Sequence, residues 1–281
     1  MGGAKIFENM RVCGIETKNA GTSGTRQVSG VKVEVPSLGS GEASELKTIS
    51  AEIVVNCAGL WGHQVGEMAG VNVPLHAAEH FYIVTENIGL PSTLPVLRDP
   101  SGWIYAKEDT GKMLVGCFEP KSKPRPLNTI PEDFSFGKFE EDWEHFEPAM
   151  LNAMHRIPKL EDAGIHTFFN GPESFTPDDR YILGEAPELK NFYVAAGLNS
   201  IGIQSAGGAG KVLSEWIVNG YPPIDLWDVD IRRFHSFQGN SRYLKERTEE
   251  SLGLLYAMHW PFRQPETSRG VRKSVLHDRL E

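Results

Sequence analysis

The 281-residue sequence predicts an α/β protein of mixed α+β type, in which a doubly wound parallel layer is interrupted by an antiparallel sheet and then resumed. Two observations carry the parallel layer. The runs 51–61 (AEIVVNCAGLW) and 191–202 (NFYVAAGLNSIG) each hold a short apolar strand without alternation, followed by small residues. Runs of that kind suit strands buried on both faces. The third observation is the texture between them. From Pro74 to about Asn170 short alternating runs are separated by turn signals, which is antiparallel patterning. The parallel layer reads as incomplete, because no strand–GxGxxG–helix fingerprint precedes either apolar run.

The elements follow in order. Residues 4–16 alternate through Ile6, Val12 and Ile15 and predict a strand. Residues 18–30 are rich in Gly, Ser and Thr and predict a loop, and Val28–Val35 alternates as a half-exposed strand. Residues 36–47 predict another loop. Ile53-Val54-Val55 predicts a strand buried on both faces, with Cys57 as a small apolar filler. Gly62–Gly70 fits a short helix ending at a glycine. In the middle segment, strands are expected at 80–84, 103–106 and 113–116, with turns at 99–102 and 109–111. Pro120, Pro124, Pro126 and Pro131 exclude regular structure nearby. Trp143, Phe146, Met150, Met154 and Ile157 recur at helical spacing, which predicts a helix within 139–157 with an apolar stripe in the core. A helix is expected from about Gly207 to Val218, and another from Arg242 to about Met258.

Composition narrows the function. A net charge of −9 gives no basic surface for nucleic acid, and the C-terminal arginines alternate with acids and apolar residues. The three cysteines, Cys13, Cys57 and Cys117, are far apart and show neither disulfide nor zinc spacing. His63 and His76 show no metal-ligand spacing, so no metal is assigned. No run is long and apolar enough for a membrane span.

The glycine segments are the candidate ligand site. A strand ending in Ala58-Gly59 lets a ligand approach bare backbone N–H groups. Gly197 and Gly202 bracket a loop, and the helix after it presents an N-terminus that favours negative charge by roughly 0.3–1 kcal/mol. Such an arrangement suits a dinucleotide, including the anionic edge of a reduced flavin.

The residues 56–61 (NCAGLW), 79–82 (EHFY), 171–178 (GPESFTPD), 184–189 (GEAPEL) and 197–202 (GLNSIG) resemble the sarcosine and dimethylglycine dehydrogenases, FAD-dependent amine oxidoreductases of the D-amino-acid-oxidase type. Residues 230–234, 242–247 and 276–280 resemble that family's linker domain. The resemblance covers nearly the whole chain, and its GPESFTPD and GLNSIG stretches are the specific ones. It implies four segments: an FAD-binding part at 1–73, an antiparallel substrate domain at 74–170, an FAD-binding return at 171–222 and a partial linker domain at 223–281. It also implies that the family's GxGxxG, its flavin-linked histidine and its folate-binding half lie outside this chain. The chain is then expected to be a middle fragment, without stable FAD binding or dehydrogenase activity of its own. Tetrahydrofolate would concern only a longer protein.

Carried over by residue, the resemblance implies that Val12 meets the adenine and that Trp61 lines the FAD beside Ala58 and Gly59. Gly197, Leu198, Asn199, Ser200, Ile201 and Gly202 would form the loop beside the flavin ring. The implied reaction is oxidative demethylation of a small N-methyl amino acid, by hydride transfer to flavin N5. Tyr82 is the first candidate for the substrate pocket. His80 shares its face of the strand, and Arg180 follows the turn at Thr176-Pro177-Asp178. Arg98 is a further candidate for the substrate carboxylate, and Glu173 a candidate for orienting a donor. The implied partner is an electron-transfer flavoprotein, and the implied location is the mitochondrial matrix in a eukaryote or the cytoplasm in a bacterium. The same motifs also resemble the regulatory subunit of pyruvate dehydrogenase phosphatase, which would act by binding proteins.

Overall fold

The computed structural model describes residues 2–21, 24–36, 44–131, 133–258 and 263–280. They form two compact units, one from Met1–Pro74 with Arg180–Gly239, the other from Leu75–Asp179 with Asn240–Glu281.

The first unit opens with a meander of β1 (Arg11–Ala20), β2 (Thr25–Val35) and β3 (Glu45–Ser50), in that order and antiparallel. Two expectations change here. The first strand lies at 11–20 instead of 4–16, because its alternation is set by pairing with β2, where Val28 and Val33 are buried. The Gly/Ser/Thr stretch at 18–30 is strand at 18–20 and 25–30, with Ala20 paired to Thr25. Residues 37–43 of the second expected loop lie outside the described residues.

The unit's second sheet has the order β11 (Ile182–Glu185), β12 (Phe192–Ala196), β4 (Val54–Asn56). β12 and β4 are parallel, with Phe192 opposite Val54 and Val194 opposite Asn56. β4 is therefore parallel as expected, but it is not buried on both faces. Ile53 and Val55 remain 37% and 39% exposed, and Cys57 is exposed as well. The cause is position: β4 is an edge strand among the described residues.

Helix α1 (Gly62–Ala69) closes on Gly70, whose φ of 68° supplies the left-handed C-cap. Helix α3 (Gly202–Asn219) starts five residues earlier than its glycines suggested. Interior glycines cost roughly 1 kcal/mol each. Packing overrides that cost, because Ala209, Leu213 and Trp216 close onto Leu183 and Tyr193. Each apolar side chain buried this way contributes about 1.5–3 kcal/mol when fully enclosed.

The second unit is built on one antiparallel sheet. Its order is β10 (Ile165–Phe175), β5 (His76–Thr85), β8 (Lys112–Cys117), β7 (Ile104–Asp109), β6 (Leu97–Asp99), and β9 (Pro124–Arg125), a two-residue strand within the proline-rich stretch expected to be irregular, pairs with β5. Residues 171–175 continue β10. The turn joining β7 to β8 uses Thr110 (φ 53°) and Gly111 (φ 84°), as a two-residue hairpin requires.

Helix α2 (Trp143–Arg156) starts where the Asp142 carboxylate accepts from the His145 N–H at 3.0 Å. It covers one face of the sheet. Phe146, Ala149 and Ala153 bury themselves among Phe81, Ile83, Ile104, Val115 and Phe168, and Met150, Met154 and Ile157 pack beside them. Helix α4 (Ser241–Leu254) is capped by Asn240 and meets the opposite face at one end, where Leu252 joins Ala78, Phe118 and Phe175. No helix among the described residues is long and apolar enough to cross a membrane.

Candidate functional site

In the first unit both glycine segments leave the sheet at the same end. β4 and β12 are parallel neighbours, so the turn at 57–61 and the loop at 197–202 emerge side by side at their C-terminal ends. That end of a parallel sheet is where ligands bind in open α/β folds. The turn after β4 is pinned from below. Asn56, 2% exposed, accepts the Ala58 N–H at 3.1 Å and donates its amide to the Gly62 carbonyl at 2.8 Å. Gly59 takes φ 54°, and a Cβ there would meet nothing within 4 Å among the described residues. Trp61 ends this turn with its N–H on the Ala58 carbonyl and 37% of its surface exposed.

The second segment is conformationally specific. Gly197, Asn199 and Ser200 all have positive φ (60°, 45° and 66°). Such backbone is costly for the two non-glycine residues and is held by the fold around it. Asn199 is buried at 3% exposure, and Ile201 closes the loop by donating to the Leu198 carbonyl at 2.9 Å. α3 then begins, and its N-cap, Ile201, has no side-chain oxygen to offer its first N–H groups. A helix start of this kind favours negative charge nearby. Val12 lies apart, in β1 opposite Val33, although α1 packs against β1.

In the second unit the sheet face opposite α2 carries an aromatic surface. Residues in direct register form one transverse row: Phe169 opposite Tyr82, Tyr82 opposite Gly116, Gly116 opposite Tyr105, Tyr105 opposite Arg98. The Tyr82 and Phe169 rings stack at 4.7 Å and 15°. The glycines let other rings lie flat. A Cβ at Gly116 would come within 2.1 Å of the Tyr105 ring, and one at Gly171 within 2.7 Å of the Phe169 ring. His80, opposite Gly171, lies 4.8 Å from Phe118, and Tyr256 stacks on Phe118 at 4.6 Å. The buried His80 Nδ1 has no hydrogen-bond partner among the described residues.

The phenol of Tyr105 belongs to this surface. Burial pushes its pKa well above the ordinary tyrosine range, and the negative charges that Cys117, Glu173, Tyr256 and Tyr82 would carry push it further. It stays a protonated donor at any physiological pH.

The structure thus brings His80 and Tyr82 onto one face, together with Phe169 and Tyr105, which sequence reasoning did not select. Arg180 is in the other unit, where its guanidinium is engaged by the Asp228 carboxylate and lies 5.9 Å from the Trp227 ring. Arg98 donates to the Leu255 carbonyl at 2.6 Å and lies over Tyr256 at 4.1 Å. Asn56 was also missed as a functional residue. The signal available for it was a lone polar residue between an apolar strand and Ala-Gly.

Comparison with known proteins agrees with this architecture. Residues 1–216 match the family described as FAD dependent oxidoreductase, and residues 219–274 match the FAD dependent oxidoreductase central domain. The chain is 47% identical over 233 residues to 4-methylaminobutanoate oxidase (formaldehyde-forming) of Paenarthrobacter nicotinovorans, covering 83% of this chain and 28% of that protein. It is 39% identical over 279 residues to mouse mitochondrial sarcosine dehydrogenase, covering 99% of this chain and 29% of the relative. It is also 39% identical, over 238 residues, to the mouse mitochondrial pyruvate dehydrogenase phosphatase regulatory subunit, covering 83% of this chain and 27% of that protein. The chain therefore spans less than a third of these relatives. Among solved structures, L-proline dehydrogenase from P. horikoshii shares the fold with a TM-score of 0.65 at 22% identity, over 83% of this chain and 55% of that one. With both glycine segments at one parallel-sheet end and the match spanning residues 1–216, the chain belongs to the FAD-dependent oxidoreductase family.

Proposed function

We propose that this chain contributes the flavin edge and the amine-binding surface of an oxidoreductase that demethylates a small N-methyl amino acid, of the sarcosine or dimethylglycine type. The observation that carries the reading is the transverse row Phe169–Tyr82–Gly116–Tyr105 on the open face of the second unit's sheet. The names of the relatives above support the choice of substrate.

The first unit fits FAD on its own geometry. Gly59 leaves open space above the turn, the loop from Gly197 to Gly202 has left-handed backbone at Gly197, Asn199 and Ser200, and α3 begins at its end. Ala58, Gly59, Trp61 and Gly197 to Gly202 would hold the group. Bound FAD supplies the hydride acceptor.

The remaining work falls to the chain's own side chains. An alkylammonium titrates near ~10, by analogy with lysine, and must lose a proton before its methyl carbon can give up hydride. A half-buried aromatic surface disfavours the charged form and so eases that loss. Aromatic faces attract the methylated cation on arrival, by roughly 0.5–2 kcal/mol depending on exposure, which offsets part of that easing. Tyr82 and Phe169 provide such faces, and the protonated Tyr105 hydroxyl can donate to the substrate carboxylate. In a eukaryotic cell this reading places the protein in the mitochondrial matrix, with an electron-transfer flavoprotein as its electron acceptor.

The test is anaerobic reduction by sarcosine of a flavin-loaded polypeptide that joins this chain to a strand–GxGxxG–helix unit. The reading predicts bleaching of the oxidised flavin band, and a Tyr82→Ala variant whose KM rises about two- to thirtyfold. A wild-type flavin untouched by sarcosine and dimethylglycine alike would contradict it.

A further inference from the structure

In the second unit, the start of α4 and the turn at 267–270 enclose a cleft of about 530 Å³. Asn240, Arg242 and Glu246 line it from the helix, and Ser268, Arg269 and Val271 from the turn and the residue after it. The Ser268 hydroxyl ties the two walls together by donating to the Glu246 carboxylate at 2.6 Å. Ser268 takes φ 53°, a left-handed backbone that this bond helps to hold. In the sequence the C-terminal arginines alternate with acids, but the fold separates them. Arg263 is paired with Glu250 at 2.8 Å, while Arg269 is left on the cleft.

Donors outnumber free acceptors here. Glu246 is the one carboxylate lining the cleft, and both of its oxygens are taken, one by Ser268 and one by the Arg242 Nε–H at 2.8 Å. That i,i+4 bond holds the Arg242 guanidinium in place and leaves its terminal N–H groups without a partner among the described residues. Arg269 makes neither an ion pair nor a hydrogen bond among the described residues. The Asn240 side-chain oxygen accepts from the Arg242 and Tyr243 N–H groups, so its free end is the donating amide. Two guanidinium groups against one saturated carboxylate leave a net positive charge.

We propose that this cleft is a binding site for an aliphatic dicarboxylate, with one carboxylate on Arg242, the other on Arg269, and the methylene chain along Val271. Each guanidinium presents a planar fork that matches the two oxygens of a carboxylate. The cleft falls in the range of organic-ligand sites, about 300–1,000 Å³, and exceeds what a single inorganic anion fills. Val271, 43% exposed, supplies apolar surface for the chain between the charged ends. The site is independent of the flavin edge and of the amine surface.

The experiment follows the backbone amide resonances of the full chain by NMR as glutarate is added, with butyrate and inorganic phosphate as separate arms. Glutarate should give saturable shifts at Asn240 and Val271, and bind about tenfold or more tighter than butyrate, which has a single carboxylate. Arg242→Gln and Arg269→Gln should each weaken glutarate about three- to tenfold. Lys107→Gln removes an exposed positive charge that does not line the cleft, and should change the affinity less than about twofold. Both arginines are exposed, so the variants should keep the wild-type melting transition. Butyrate or phosphate binding as tightly as glutarate would mean an adventitious ion only. Equal weakening by Lys107→Gln would mean attraction to overall charge without a site. Either result overturns the proposal, as does glutarate that causes no saturable shift or binds both arginine variants as it binds wild type.

Discussion

The side-chain amide of Asn56 donates to the Gly62 carbonyl at 2.8 Å while its oxygen accepts the Ala58 N–H, so one buried residue fixes both ends of the turn that carries Gly59 and Trp61. The backbone around a cofactor edge must hold its shape without a cofactor's help, and a doubly bonded buried amide does that. Asn56→Leu leaves the Ala58 N–H without this partner and removes the second of the bonds on the Gly62 carbonyl, whose other donor is in α1. It should cost about 1–3 kcal/mol, read as a lower midpoint in urea with an unchanged slope. An unchanged midpoint would show that this turn does not depend on Asn56.

Gly116 and Tyr105 make a second dependent pair. Any side chain at 116 would meet the Tyr105 ring at its tip. Gly116→Val should destabilise by about 1–3 kcal/mol through overpacking. It should also weaken sarcosine binding, while the same change at the exposed Gly207 weakens neither. Sarcosine binding that survives Gly116→Val at full strength would remove Tyr105 from the site.

Glu250 anchors the C-terminal segment to α4. Burial pushes its pKa up, but the Thr267 hydroxyl, the N–H groups of Thr267 and Glu266, and the Arg263 guanidinium outweigh it and hold the carboxyl at about 2, against an ordinary 4.5. A depressed folded-state pKa contributes stability above the unfolded value and loses it as pH falls toward the folded one. With allowance for solvent screening the contribution is about 1–2 kcal/mol. Stability should fall between pH 4.5 and pH 2 in wild type, and more shallowly in Glu250→Gln. Parallel curves from thermal melts across that window would argue against the anchor.

Trp61→Ala and Gly202→Val bear on the flavin edge. In a polypeptide joining this chain to a strand–GxGxxG–helix unit, both should lower the flavin retained per chain, measured by absorbance after gel filtration. Full flavin content in both variants would place the cofactor elsewhere.

Much of this organisation is legible in the sequence, for identifiable reasons. Phe146, Met150, Met154 and Ile157 announce α2, because helical spacing and burial point to the same face. His80 and Tyr82 share a face because strands alternate, which needs no knowledge of their neighbours. What sequence could not supply is what comes across the sheet. Tyr105 is 23 residues from Tyr82, and only the shared partner Gly116 brings the two side by side. The start of α3 was missed for a similar reason. Its glycines argue locally against helix, and the burial of Leu213 and Trp216 against a distant strand decides the matter. Cys57 and Val55 failed in the opposite direction, since apolar character alone does not say whether a strand ends up at an edge.

The central claim is that the open face of the second unit binds the methylated amine. It is tested most directly by following the aromatic ring resonances of the full chain by NMR as sarcosine is added. The account predicts saturable shifts at Tyr82, Tyr105 and Phe169, and none at the exposed Phe136. Saturable shifts that leave Tyr82 and Phe169 unmoved would contradict it.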